Sequence, residues 1–144
     1  MPSFLTFTLS APLGAMGELA VGEIRDGRTR PARSALLGLI AACLGLDRAD
    51  EGAHVALEAG YGLATAVHPG GRPLLDYHTA QVPPRQRGLR HATRREEVAD
   101  RLANNTVLSR REFRTDLFVR VVLWRREGAR WSLVALEEAL RRPV

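Results

Sequence analysis

Three short segments carry the side chains best suited to chemistry. The first, Arg28-Thr29-Arg30-Pro31-Ala32-Arg33-Ser34, sets three guanidinium groups directly before an apolar run from Ala35 to Leu44. A guanidinium is a planar donor that forks onto phosphate oxygens. Ser34 is the expected N-cap of a helix over that run, its hydroxyl accepting from a free N–H of the first turn. Gly45 is the expected left-handed stop after Leu44. Such a helix points its positive end at the arginines, so this stretch predicts an anion site with phosphate as the first candidate.

The second segment is Asp76-Tyr77-His78-Thr79. One reading makes it a strand end whose side chains hold a turn. Another has Tyr77 stacking on a base and His78 bonding a phosphate or a base edge. A third makes His78 a general base for RNA cleavage, a reaction that also needs a group to hold the leaving oxygen, and the sequence names none clearly. The third segment is Ser109-Arg110-Arg111-Glu112-Phe113-Arg114. In extended geometry Arg110, Glu112 and Arg114 share one face while Ser109, Arg111 and Phe113 share the other. Arg111 beside Phe113 pairs a phosphate fork with a stacking platform; solvated arginines flanking a strand are the plainer alternative.

Other chemistries find little support. His54, His68 and His91 are scattered without metal-ligand spacing, and no Walker A, GxGxxG, GxSxG or HExxH pattern occurs. Cys43 is the only cysteine and lies inside the apolar run, which excludes a disulfide framework or a cysteine zinc site and fits a reducing cytoplasm. All 21 basic residues are arginine, so no mechanism can use a lysine nucleophile or base. A GC-rich coding bias would give the same composition.

The net charge is +5, and its distribution is informative. Between Arg72 and Arg114 there are ten arginines and five acids, so this segment alone matches the whole excess. Within it, Gln81 to Asn105 is polar and nearly free of large apolar residues. It reads either as a solvated or disordered insertion or as an arm that orders on a nucleic acid.

The elements that must position these groups follow from patterning. At 144 residues, with 45% hydrophobic and 26% charged residues, the chain predicts one soluble domain over 1–144. No apolar run reaches the ~18 residues of a membrane span. The apolar start has no basic n-region and reads as a strand, not a signal peptide. Ser3 to Leu9 alternates with both faces fairly apolar, which predicts a central strand. Ser10 to Arg33 reads as a long ordered loop. Asp50 to Glu58 reads as a short peripheral helix. Leu63–Val67 and Pro73–Tyr77 read as strands separated by a turn at His68-Pro69-Gly70-Gly71. Asp116 to Trp124 is a clear strand, and Trp131 to Arg141 an amphipathic helix with Leu133, Leu136 and Leu140 on its stripe. This order predicts an α+β sandwich of the ferredoxin-like (RRM-like) type, a common RNA-binding scaffold.

Taken together, the segments SAPLGAMG, RPARSALLGLIAACLGLDRAD, LLDYHT, LSRREFRTDLFVRVVLW and SLVALEEALRRP resemble the CasD family of type I-E CRISPR Cascade, in family order and spacing. The resemblance implies a ferredoxin-like body with a protruding thumb hairpin, here about residues 81–108. It implies a non-catalytic, cofactor-free subunit that grips the 5′ handle of the CRISPR RNA and caps the backbone of CasC subunits. It also implies help in docking the large subunit CasA, and thus action on target DNA only through the assembled complex. RNA contact carries over onto Arg30, Arg33 and Ser34, onto Tyr77 and His78, and onto Ser109 and Arg111, with Arg28, Thr79 and Arg110 flanking them. Endoribonuclease activity on CRISPR repeat RNA, as in type I-C relatives, is the alternative. Two departures stand out: Met16 replaces the tryptophan usual in the family, and family members continue beyond the position of Val144 into a further structured half.

Overall fold

The computed structural model describes residues 3–17, 22–68, 71–84, 88 and 90–144. Its organising element is one strand of 21 residues, β5 (Asn105–Arg125). At about 3.3 Å per residue it extends about 70 Å, long enough to pair with several others in turn. Its C-terminal half alternates β-branched and apolar residues, and Leu117, Val119, Val121 and Leu123 are all buried. The sequence predicted only Asp116–Trp124 as strand. The arginine segment before it is extended too, because β4 (Pro73–Val82) supplies it with a full ladder from Pro73↔Arg114 to Val82↔Asn105.

Strand β1 (Leu5–Gly14) pairs antiparallel with β5 from Leu5↔Leu123 to Gly14↔Arg114. The prediction of a central strand is corrected: among the described residues β1 pairs only with β5 and is an edge. Its two faces are unequal. Leu5 is buried and Phe7 and Leu9 are half-buried, whereas Thr6 and Thr8 are exposed. Threonine's branched side chain suits an exposed pleat as well as a covered one, so alternation with threonine did not fix both faces as buried.

Strand β3 (Tyr61–Val67) pairs antiparallel with β5 from Tyr61↔Arg125 to Val67↔Val119. The turn predicted at His68–Gly71 lies in part outside the described residues, and the flanking strands set the path on either side of it. β3 and β4 run in the same direction along β5, so the chain does not reverse between them. Six positions separate Val67 from Pro73, whereas five separate their partners Val119 and Arg114, which is the offset of a bulge. Gly71 belongs to this bulge. A Cβ there would lie 2.0 Å from the Thr115 carbonyl oxygen, so only glycine allows the two backbones to approach. Opposite it, Asp116 takes a positive φ of 48°. Pro69 and Gly70 lie outside the described residues.

The predicted loop from Ser10 to Arg33 is partly strand. β1 extends to Gly14, and a two-residue strand β2 (Ile24–Arg25) pairs parallel with β5 at Arg110 and Arg111.

Helices cover one side of the sheet. α1 (Arg33–Cys43) buries Leu36, Leu37, Ile40, Ala41 and Cys43. Its start corrects the expected cap: the N-cap is Ala32, with no side-chain cap, and Ser34 sits exposed in the first turn. The Ala32 carbonyl already accepts from Ala35 and Leu36 N–H, at 3.1 and 3.2 Å. The helix therefore begins two residues too early for the Ser34 hydroxyl to cap it. The stop is as predicted. Gly45 has φ 68°, and the Gly45 and Leu46 amides donate to Ala42 and Ala41, closing a Schellman motif.

α2 (Glu51–Gly60) is capped by Asp50, whose carboxylate accepts from Ala53 N–H at 2.9 Å. A single-turn helix, α3 (Arg94–Glu97), lies in the polar segment. α4 (Leu133–Arg141) is capped by Ser132 and buries Leu136 completely. Tyr61 locks α4's approach to the sheet: its hydroxyl donates to the Trp131 carbonyl at 2.6 Å and accepts from Trp131 N–H at 2.9 Å. Tyr61 is wholly buried, and that burial raises its hydroxyl above the ordinary tyrosine value. No helix among the described residues is long and apolar enough to cross a membrane.

Candidate nucleic-acid interface

Beyond the core, β5 runs between β2 and β4, and this junction gathers residues of the second and third segments with Ile24 and Arg25, which lie just before the first. Two cross-strand rows result. Ile24, Arg110 and Tyr77 form one, and Arg25, Arg111 and Asp76 the next, each sharing a face. His78 follows on the second face, directly opposite Ser109, and Thr79 stands opposite Leu108 on the first. Tyr77 is 58% exposed, enough for a ring face to receive a planar partner. Arg110 and Arg111 are both exposed. A strand pair bearing an open ring and guanidinium groups is chemically suited to stacking bases and holding phosphates.

His78 is oriented by its neighbour on the same face. Its Nδ1 lies 3.1 Å from Asp76 Oδ2, with about half of each side chain exposed. Arg114 points a different way: its Nη1 reaches the Gly71 carbonyl at 3.5 Å, which draws it into the bulge and away from Arg110.

The loop before α1 approaches the same junction. Arg110 N–H donates to the Glu23 carbonyl at 2.8 Å, and Gly27 lies against Glu112. The loop is closed on itself by Arg28 N–H donating to the Met16 carbonyl at 2.6 Å and by the bridge Gly17↔Gly27. Arg28 and Arg30 are exposed on it. Arg33 does different work: its Nη2 donates to the carbonyls of Glu58 at 2.8 Å and Tyr61 at 2.7 Å. It ties α1 to the end of α2 and the start of β3. Ser34 is exposed beside it, and with Gly38, His54 and Glu58 these residues line an open cleft of about 410 Å³. The Arg33–Ser34 pair thus belongs to the helix side, apart from the Arg110–Tyr77 row.

Arg25 was not legible as a site residue. Its place depends on a two-residue parallel pairing, too short to leave an alternation in the sequence. Residues 94–104 carry α3, capped by Thr93, and an Arg94–Glu97 ion pair of 2.6 Å. Arg94 also donates to the Gln81 carbonyl, tying this segment to the end of β4. Arg85 and Arg87 of the expected arm lie outside the described residues. Among the described residues no group of three or more His, Cys, Asp or Glu side chains could hold a metal ion. A cleft of about 670 Å³ lies between the ends of α1 and α4, away from the junction.

Comparison with known proteins agrees with this architecture. The family described as CRISPR-associated protein (Cas_Cas5) matches residues 4–144. The CRISPR system Cascade subunit CasD of Escherichia coli (strain K12) is 31% identical over 147 aligned positions, covering 99% of this chain and 62% of that protein. Among solved structures, a chain of a CRISPR RNA-guided surveillance complex superposes with a TM-score of 0.67 at 26% identity, covering 98% of this chain and 54% of that one. A Cas protein crystal structure shares the fold with a TM-score of 0.61 at 23% identity, covering 98% and 53%. The chain thus spans between half and two thirds of the length of these relatives. With the match running over nearly all of its residues, the chain belongs to the CRISPR-associated Cas5 family.

Proposed function

We propose that this chain is a non-catalytic, RNA-binding subunit of a type I-E CRISPR Cascade complex in the cytoplasm. In this reading it is a ferredoxin-like body with a thumb at about residues 81–108. It grips the 5′ handle of the CRISPR RNA, caps the CasC backbone and abuts CasA, and it reaches target DNA only through the assembled complex. The similarity to E. coli CasD and to a surveillance-complex chain supports the assignment.

The observation that carries it is the β2–β4–β5 junction, where Arg25, Arg110, Arg111, Tyr77 and His78 converge from three separate segments. Arg28 and Arg30 extend the basic surface along the adjoining loop, and Ser109 and Thr79 complete its polar edge. Arg33 and Ser34 bound it on the helix side. The test is fluorescence anisotropy of the 144-residue chain with labelled 5′-handle RNA over a salt series. Binding should weaken steeply with salt as phosphate contacts release counterions, and Arg111→Ala should weaken it further. Affinity that ignores both salt and Arg111 would overturn the assignment.

One observation favours a second reading. The Asp76–His78 pair presents an oriented imidazole beside Ser109 on an arginine-rich face, as a metal-independent endoribonuclease of the type I-C kind would require. Incubation with CRISPR repeat RNA in EDTA discriminates the two. A defined cut abolished by His78→Ala would establish the nuclease; intact RNA retained by the protein would establish the binding subunit.

A further inference from the structure

We propose that Asp76 turns His78 into a reader of the ribose 2′-hydroxyl, so that this site distinguishes RNA from DNA. The inference rests on the RNA-binding reading above. It begins with the 3.1 Å contact between His78 Nδ1 and Asp76 Oδ2. An ionised carboxylate only accepts hydrogen bonds, so Nδ1 must carry the proton and donate it. In the neutral ring this leaves Nε2 as a bare acceptor. No hydrogen bond to another described residue reaches that ring, and the side chain is half exposed. Asp76 thus fixes both the tautomer and the direction of the imidazole.

A bare acceptor selects its partner. Phosphate oxygens are acceptors too and cannot bond it, so the neutral His78 ring is not a phosphate contact. Its surroundings divide the work accordingly. Arg111 stands opposite Asp76, and Arg25 stands beside Arg111 on the same face, both available to phosphate oxygens. Ser109 stands opposite His78 and adds a hydroxyl that can donate or accept. A nucleotide whose phosphate lies on Arg111 would bring its sugar toward the acceptor on the neighbouring strand. The backbone group there that can donate is the 2′-hydroxyl, which DNA lacks.

Two measurements test this, one on the free chain and one on the complex. Nitrogen-15 NMR of the 144-residue chain at pH 8 should show His78 protonated at Nδ1, and Asp76→Ala should release it to a mixture of tautomers. A ring protonated at Nε2 in the unaltered chain would overturn the proposal whatever the RNA results. Anisotropy with 5′-handle RNAs carrying a single 2′-deoxy sugar at each position in turn should then reveal one sensitive position. There the unaltered chain should lose roughly three- to tenfold in affinity, the worth of one hydrogen bond. His78→Ala should bind the fully ribose and the deoxy-substituted RNA equally. Equal sensitivity of both proteins at every position, or sensitivity to the base and not the sugar, would overturn it. Failure of the unaltered chain to bind any handle RNA would overturn the RNA-binding reading and this inference with it, and the tautomer measurement separates that case from a wrongly placed proton.

Discussion

Tyr77 stands directly across the β4–β5 ladder from Arg110, so an exposed ring and an exposed guanidinium share one face of the sheet. Ile24 of β2 flanks Arg110 on its other side. If bases stack here, the ring is the platform and the guanidinium the electrostatic clamp. Tyr77→Ala should then weaken single-stranded RNA binding by about 1–3 kcal/mol, the usual worth of one base–aromatic stack. Tyr77→Phe should keep most of it, because stacking needs the ring and not the hydroxyl. Anisotropy at fixed salt checks both. Equal losses for the two variants would mean that Tyr77 acts through its hydroxyl.

Arg25 and Arg111 are lateral neighbours on the opposite face. Arg25→Ala should reduce affinity for handle RNA and lower the slope of log affinity against log salt by about 0.7, the single-strand value for one phosphate contact. The double variant with Arg111→Ala should lose less than the sum of the single losses if both touch one phosphate. Full additivity would assign them to separate phosphates.

Arg33 should register first in stability. Its guanidinium holds the Glu58 and Tyr61 carbonyls, joining three elements. Arg33→Ala should cost about 1.5–3 kcal/mol in urea unfolding, the range for a hydrogen bond that involves a charged group. An unchanged midpoint with lost RNA affinity would show instead that Arg33 serves the ligand.

Tyr61 sets a pH dependence. Its folded hydroxyl titrates above the ordinary 10.0 because burial disfavours the phenolate. The folded state therefore holds the proton more tightly than the unfolded chain. The linked stability is fully present below pH about 10 and is lost as pH rises through the folded value. Denaturant midpoints should fall on alkaline titration above pH about 10. Tyr61→Phe should be less stable at neutral pH, having left the Trp131 amide unpaired, but should show a shallower alkaline decline.

Gly71→Ala should be among the most damaging small substitutions. The added carbon would meet the Thr115 carbonyl at 2.0 Å, so one backbone must move. The bulge sets the register of β4 against β5, so the variant should lose RNA binding and stability together. Thermal unfolding and anisotropy on the same samples check this; a stable variant that still binds would show that the register survives.

Much of this could be seen in the sequence, for identifiable reasons. The Gly45 stop, the leucine stripe of α4 and the strand over Asp116–Trp124 are local signals carried by residue type and period. The faces of Ser109–Arg114 were also readable, because strand alternation does not depend on the partner. What escaped was set by partners distant in the chain. Ser34 loses the cap because Ala32 already closes the first turn of α1. β1 proved an edge because the threonine face gave no sign of being uncovered. Arg25 joined the site only through its pairing with β5, and β3 and β4 run in the same direction because β5 is long enough to pair both.

The length of β5 has a consequence in time. Every other strand among the described residues hydrogen-bonds to it, yet it starts only at Asn105. While the first hundred residues leave the ribosome they have no sheet to join, and the Leu5↔Leu123 pair must close a loop of more than a hundred residues. Such non-local pairing makes folding slow. Until β5 appears, Tyr77, His78 and the arginine loop have no common frame, so the arginine-bearing surface and the core are completed in a single step.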